Sequence, residues 1–200
     1  TSAEALADKV ARATNRMQCD FAFWVGGTRD NARDVAELER LPGAAGIKVF
    51  MGSSTGDLLV EDDEGVYEIL KNTRRRAAFH SEDEFRLRER LGERVEGDPS
   101  SHPVWRDEIA ALQCTQRLVA VARRARARIH VLHVSTAEEI DFLANQKDVA
   151  TCEATPHHLT LSSEDYATLG TLIQMNPPVR ASRHRDGVWR GIDQGIVDVL

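Results

Sequence analysis

Short apolar runs alternate with longer amphipathic stretches along the chain, and this alternation predicts strands and helices in turn. Thr1-x-x-Glu4 reads as a capping box that opens a helix through about residue 16, with Ala5, Leu6, Val10 and Ala11 as its apolar stripe. Residues 20–25 form an aromatic-rich strand that ends at Gly26-Gly27. A second helix is expected through about residue 40, stopped by Pro42-Gly43. GIKVFM (46–51) reads as the next strand, followed by a small-residue loop over 52–56. A helix over 62–72 leads into a strand at 76–80. Residues 81–102 are a polar excursion containing Gly97-Asp98-Pro99, read either as a functional surface loop or as a solvated insertion. A long helix is expected over 105–127. Its arginine-rich end (Arg123, Arg124, Arg126, Arg128) suits a helix C-terminus and a wet face. Residues 128–134 form a strand, Ser135-x-x-Glu138 caps another helix, 149–154 form a strand, and 196–200 begin one more.

Strands that alternate with helices at this spacing run parallel, which makes the fold α/β. Six strands fit a doubly wound sheet, and they also fit most of a (β/α)8 barrel, which typically takes about 250 residues. No G-x-G-x-x-G and no G-x-x-x-x-G-K-[ST] occurs, so neither nucleotide fingerprint is present.

Composition narrows the function more than the fold. The chain has 200 residues, 42% of them hydrophobic and 29% charged, and this suits one domain, 1–200, with a substantial core. The formal charge of −6 removes any general electrostatic case for nucleic acid or an anionic membrane. No apolar run approaches the roughly 20 residues that span a bilayer, and the N-terminus shows no signal peptide. Cys19, Cys114 and Cys152 lie far apart and leave one odd, which excludes a disulfide scaffold and a zinc knot and fits a reducing cytosol. Of the 26 basic residues only four are lysine, so each lysine's position is informative.

Lys48 stands in the middle of an apolar strand, sharing a face with Phe50 while Ile47, Val49 and Met51 share the other. An unpaired ammonium there is costly. It is either a strand-end lysine paired with a carboxylate or a functional group: a Schiff-base lysine, a low-pKa base, or a lysine modified into a metal ligand. His80 and His133 terminate the next two strands. In parallel α/β folds chemistry gathers at the C-terminal strand ends, so Lys48, His80 and His133 can converge on a metal. His130 and His133 resemble a chelating H-x-x-H, but an odd separation in a strand sends them to opposite faces. His157-His158 admit second-shell, substrate or plain structural roles. Asn176-Pro177-Pro178-Val179-Arg180 is a rigid turn able to orient an amide or carboxylate.

GIKVFMGSSTGDLLV (46–60), AFHSEDE (78–84), HVLHVSTAEE (130–139), CEATPHHL (152–159) and QMNPPVR (174–180) together resemble dihydroorotase and, more broadly, the cyclic amidohydrolases that include hydantoinase (dihydropyrimidinase) and allantoinase. Lys48, His80 and His133 are separated by 32 and 53 residues, close to that family's intervals. The resemblance implies a (β/α)8 TIM-like barrel of the amidohydrolase type, here incomplete, from about strand three to strand seven and the start of strand eight. It implies two divalent metal ions, usually zinc, bridged by an N-carboxylated Lys48, with His80 and His133 as imidazole ligands of one ion and Asn176 contacting substrate. The family's first-strand H-x-H is absent from this sequence. Its general-base Asp is expected just after Leu200, so no catalytic base falls within 1–200 and the segment alone is expected to be inactive.

The implied reaction is reversible hydrolysis of L-dihydroorotate to N-carbamoyl-L-aspartate, in the cytoplasm, with a small-molecule substrate and no nucleic acid or membrane partner. A homo-oligomer stays open. A hydantoinase or allantoinase is the sister reading, and a non-catalytic dihydroorotase-like scaffold protein is the alternative of another class.

Overall fold

Alternation along the second strand divides the molecule into two faces. In β2 (Ala44–Phe50) Ile47 and Val49 are fully buried while Lys48 and Phe50 are half-buried, the period-two pattern of a strand with unlike faces. The computed structural model describes residues 1–52 and 58–200. The loop expected over 52–56 therefore lies, from residue 53 on, outside the described residues.

Before β2 come α1 (Ala3–Ala13), β1 (Phe23–Gly26) and α2 (Val35–Leu38). After it come α3 (Asp63–Leu70) and β3 (Ala77–His80). The polar excursion holds α4 (Glu84–Glu89) and α5 (His102–Trp105), and α6 (Glu108–Ala125) follows. The chain continues through β4 (Ile129–Val131), α7 (Ala137–Leu143) and β5 (Ala150–Cys152). It closes with α8 (Pro156–Thr160), α9 (Tyr166–Leu169) and α10 (Ser182–Asp193).

The strands form one parallel sheet in chain order, β1-β2-β3-β4-β5. Met51, Phe79, Ile129, Val131, Ala150 and Cys152 join Ile47 and Val49 on the face packed under the helices, all buried. Each such Val, Leu, Ile, Phe or Met contributes about 1.5–3 kcal/mol through burial, so this face carries the fold. On the opposite face the register aligns Gly26, Lys48, Ala78, His130 and Thr151 in one row across all five strands. This second face is closed around β3 and β4 and open toward β1, where Trp24 is 41% exposed.

Several boundaries differ from the sequence expectation, each for a local reason. The first helix is capped by Ser2, whose Oγ accepts from the Ala5 N–H, and it ends at Ala13. α2 is a single turn rather than a helix reaching residue 40. The long helix starts at Glu108 because the Asp107 carboxylate accepts the Ala110 N–H; Trp105 belongs to α5. Thr136 replaces Ser135 as the cap of α7, its Oγ1 accepting from the Glu139 N–H at 3.0 Å. At the C-terminus only Val199 bridges, in parallel, to Glu153, so among the described residues the sixth strand is one bridge. There the Asp198 carboxylate is occupied by the Cys152 N–H and Lys147 Nζ. The three cysteines are free, and Cys114 and Cys152 are buried.

Candidate metal centre

Register places Phe50 beside His80, so Lys48, Phe50 and His80 lie on one face at the C-terminal ends of β2 and β3. Lys48 Nζ sits 4.5 Å from the centre of the Phe50 ring, and that ring lies 5.8 Å from the His80 ring. Burial lowers the Lys48 pKa, with the Glu153 charge opposing the shift. The neutral amine is therefore more accessible than on a free lysine.

His133 reaches the same place by a backbone detour. β4 ends at Val131, and His133 takes φ +40°, a left-handed conformation unfavourable for a residue with a Cβ. The turn is held by Glu153, whose Oε1 accepts the His133 N–H at 3.3 Å while its Oε2 lies 3.1 Å from His130 Nε2. Strand alternation is reset, and this corrects the expectation that His130 and His133 occupy opposite faces: His130 stands in the row of Lys48 and Ala78, and the His133 ring meets His80 on that same face. The detour brings His133 Nε2 to 3.1 Å from His80 Nδ1. Burial, then the charges of His80 and His158, hold His133 well below the usual imidazole range, so its ring is neutral.

Behind His80 lies a buried ionic group. Glu82 is 0% exposed and its Oε2 is 2.9 Å from His80 Nε2. Arg106, also buried, engages both carboxylate oxygens. Burial works against the Glu82 charge, but Arg106 and His80 more than offset it and keep the carboxyl well below its ordinary range. Arg180 donates from Nε to Ser135 Oγ at 3.0 Å and from Nη1 to the Arg106 carbonyl at 2.7 Å. The arginine of the NPPVR turn is thus buried and tied to the protein interior through Nε and Nη1, while its Nη2 has no hydrogen-bond partner among the described residues. Gly52 follows β2 closely enough that a Cβ there would stand 2.3 Å from the Glu82 carbonyl oxygen.

Asn176 lies apart from the imidazoles. It is exposed and lines a cavity of about 390 Å³ together with His102, Trp105 and Arg106, and its side chain hydrogen-bonds His102. Arg106, which lines this cavity, also engages Glu82, and Glu82 meets His80. His158 is structural: Nε2 donates to the Pro177 carbonyl at 3.1 Å, Nδ1 lies 2.9 Å from Thr155 Oγ1, and His157 is exposed.

No family model matches the chain. A dihydroorotase of Methanosarcina mazei is 32% identical over 216 residues, covering 100% of this chain and 46% of that protein. An allantoinase of Streptomyces avermitilis is 29% identical, covering 94% of this chain and 43% of that protein. Over its whole length the chain is similar to cyclic amidohydrolases. Among solved structures, an L-hydantoinase (dihydropyrimidinase) from Arthrobacter aurescens superposes with a TM-score of 0.89 at 22% identity, over 100% of this chain and 46% of that one. At that identity the likeness concerns the fold, and it identifies the five-stranded sheet as an arc of a (β/α)8 barrel. The chain spans about half the length of the relatives it matches.

The donors in this chain suit a divalent ion. The buried His80 and the half-buried His133 present ring nitrogens to each other at 3.1 Å, a spacing that one ion bound about 2.0–2.1 Å from each nitrogen accommodates. Among the described residues the buried His133 Nδ1 has no hydrogen-bond partner to hold the ring from behind. Among the described residues no three His, Cys, Asp or Glu side chains gather at one point, and Lys48 shares the face of His80 at the strand ends. Sequence reasoning missed Glu82 and Glu153 as individual residues. The signal for Glu82 was a carboxylate two residues past a strand-end histidine; for Glu153, one on the inward face of the next strand.

Proposed function

We propose that the protein carrying this chain is a dihydroorotase, which adds water across a ring C–N bond of L-dihydroorotate to give N-carbamoyl-L-aspartate, and that Lys48, as its carbamate, and His80 and His133 hold its metal ions, zinc in the first instance. The observation that carries the reading is the approach of His80 Nδ1 to His133 Nε2 at the strand ends beside Lys48. The relatives add support: those named dihydroorotase reach 31–34% identity, against 29% for the allantoinase. A divalent ion pair supplies an activated water and charge stabilisation for an amide oxygen. Around it this chain's residues bind and orient. His133 stays neutral by burial, Glu82 and Arg106 fix the ring of His80, and the half-buried Lys48 has the lowered pKa that carboxylation of a free amine requires. Asn176, which lines the cavity beside His102, is assigned the substrate contact by resemblance to the family's NPPxR turn.

The test uses the full-length protein. Turnover of L-dihydroorotate, of hydantoins and of allantoin separates this activity from its sisters, and no turnover of any identifies a non-catalytic relative. Lys48→Ala is expected to lose bound metal and turnover together, with partial recovery of both on adding short carboxylic acids that take the bridging position. Lys48→Arg is expected to show no recovery, because its fixed charge fills the space. A Lys48→Ala protein with two metals and normal turnover would make Lys48 a structural strand lysine and end this assignment.

A further inference from the structure

We infer that Glu82 is the positioning residue of the site, fixing the His80 ring with its proton on Nε2 so that Nδ1 is the free donor turned toward His133. The argument begins with satisfiability. Glu82 is wholly enclosed, and Arg106 engages both of its oxygens, so it presents an acceptor, and only an acceptor, to His80 Nε2 at 2.9 Å. An N–H at Nε2 satisfies that contact. A neutral imidazole carries one N–H, so Nδ1 is left with its lone pair, and it is Nδ1 that stands 3.1 Å from His133 Nε2.

The surroundings make Glu82 hard to displace. Arg106 and Glu82 are 2% and 0% exposed, the Arg180 guanidinium lies 4.0 Å from Glu82 Oε1, and Arg180 is tied to Ser135 and to the Arg106 carbonyl. Gly52 packs closely against the Glu82 backbone, where a Cβ would stand 2.3 Å from the Glu82 carbonyl oxygen. Removing a carboxylate that orients a metal-binding histidine typically costs 10–100-fold in metal affinity. A buried ion pair kept only for the fold would leave the ring's tautomer untouched. The purpose of this arrangement rests on the metal reading above, whereas the tautomer rests on the geometry alone.

Two carboxylates of the same interior separate these roles. Glu139 is equally buried, bonds to Thr115, Thr136 and the Ser135 N–H, and touches neither ring of the pair. In the metal-free full-length protein, nitrogen-15 NMR of the His80 ring reports its tautomer, and competition against a chelator reports zinc affinity. Wild type is expected to show the Nε2–H form. Glu82→Asp keeps the charge beside Arg106 but withdraws the oxygen from His80, and Glu82→Gln can turn either amide atom toward it. Both are expected to give mixed tautomers and about 10–100-fold weaker zinc binding, while Glu139→Gln stays within about threefold of wild type. The inference is overturned if wild type shows Nδ1–H, or if Glu82→Asp retains both the Nε2–H form and its zinc affinity. A tautomer shift in a protein that binds no zinc would uphold Glu82's role on His80 and refute the metal reading separately.

Discussion

At the scale of single residues, the buried histidines set a pH dependence of stability. Burial pushes His158 down to about 4, against an ordinary value of 6.5, and His102 and His184 shift the same way. The folded protein keeps these rings neutral, while the unfolded chain takes up protons as the pH falls below about 6.5. Their stabilising effect is therefore full above that pH and is lost progressively between about 6.5 and 4. The shifted carboxylate Glu82 acts in another window, since its contribution is present above the ordinary carboxylate pKa and fades only in stronger acid. Urea unfolding is expected to show a lower midpoint at pH 5 than at pH 7.5, with His158 alone worth on the order of 2 kcal/mol. In His158→Gln this pH dependence should flatten; an unchanged dependence would show that His158 titrates alike in the folded and unfolded chain. Gly52 gives a second residue-scale expectation. Gly52→Ala drives a methyl against the Glu82 carbonyl, so zinc affinity and melting temperature should fall together, by about 1–3 kcal/mol in stability.

Elements show where local chemistry is sufficient and where packing intervenes. α6 begins where Asp107 caps it and ends at Arg126, which turns left-handed with φ +54°. Its arginine-rich end divides: Arg123 pairs with Asp148 and Arg124 with Glu64, with Arg124 also stacked 3.9 Å over Tyr67. Such exposed pairs are worth little individually, and the wet-face reading of that cluster describes these two residues well. α10 depends instead on close approach, because a Cβ on Gly187 would stand 2.4 Å from the Cβ of Ala137 in α7. Gly187→Val should separate the two helices and lower stability by about 1–3 kcal/mol, read as a shift in the urea midpoint with an unchanged slope. A variant as stable as wild type would mean that α10 and α7 do not pack this closely.

The whole molecule is an arc of barrel with one finished face and one open face. Helices cover the outer side of every strand, whereas the inner side around β1 and β2 leaves Trp24 exposed and Lys48 and Phe50 half-covered. β1 also presents an unpaired edge of the sheet. Expressed as these 200 residues alone, the chain is expected to self-associate, and light scattering after size exclusion should show species larger than a 22.3 kDa monomer. Addition of the remaining barrel strands in the full-length protein should abolish that association; a monodisperse monomer of the isolated chain would show that the open face tolerates water.

The alternation of apolar and polar positions determined by itself that the strands are parallel and separated by helices, because periods of 2 and 3.6 are local properties of the backbone. It placed Lys48, His80 and His133 at strand ends for the same reason. Only the tertiary structure decided that His133 leaves the alternation, since its positive φ is held by Glu153 from the neighbouring strand, twenty residues on. Only there do Glu82, Arg106 and Arg180 meet, drawn from a strand end, a helix terminus and a distant turn. Burial pairs charges across the chain by mutual desolvation, and no spacing along the sequence encodes which arginine a buried carboxylate will find.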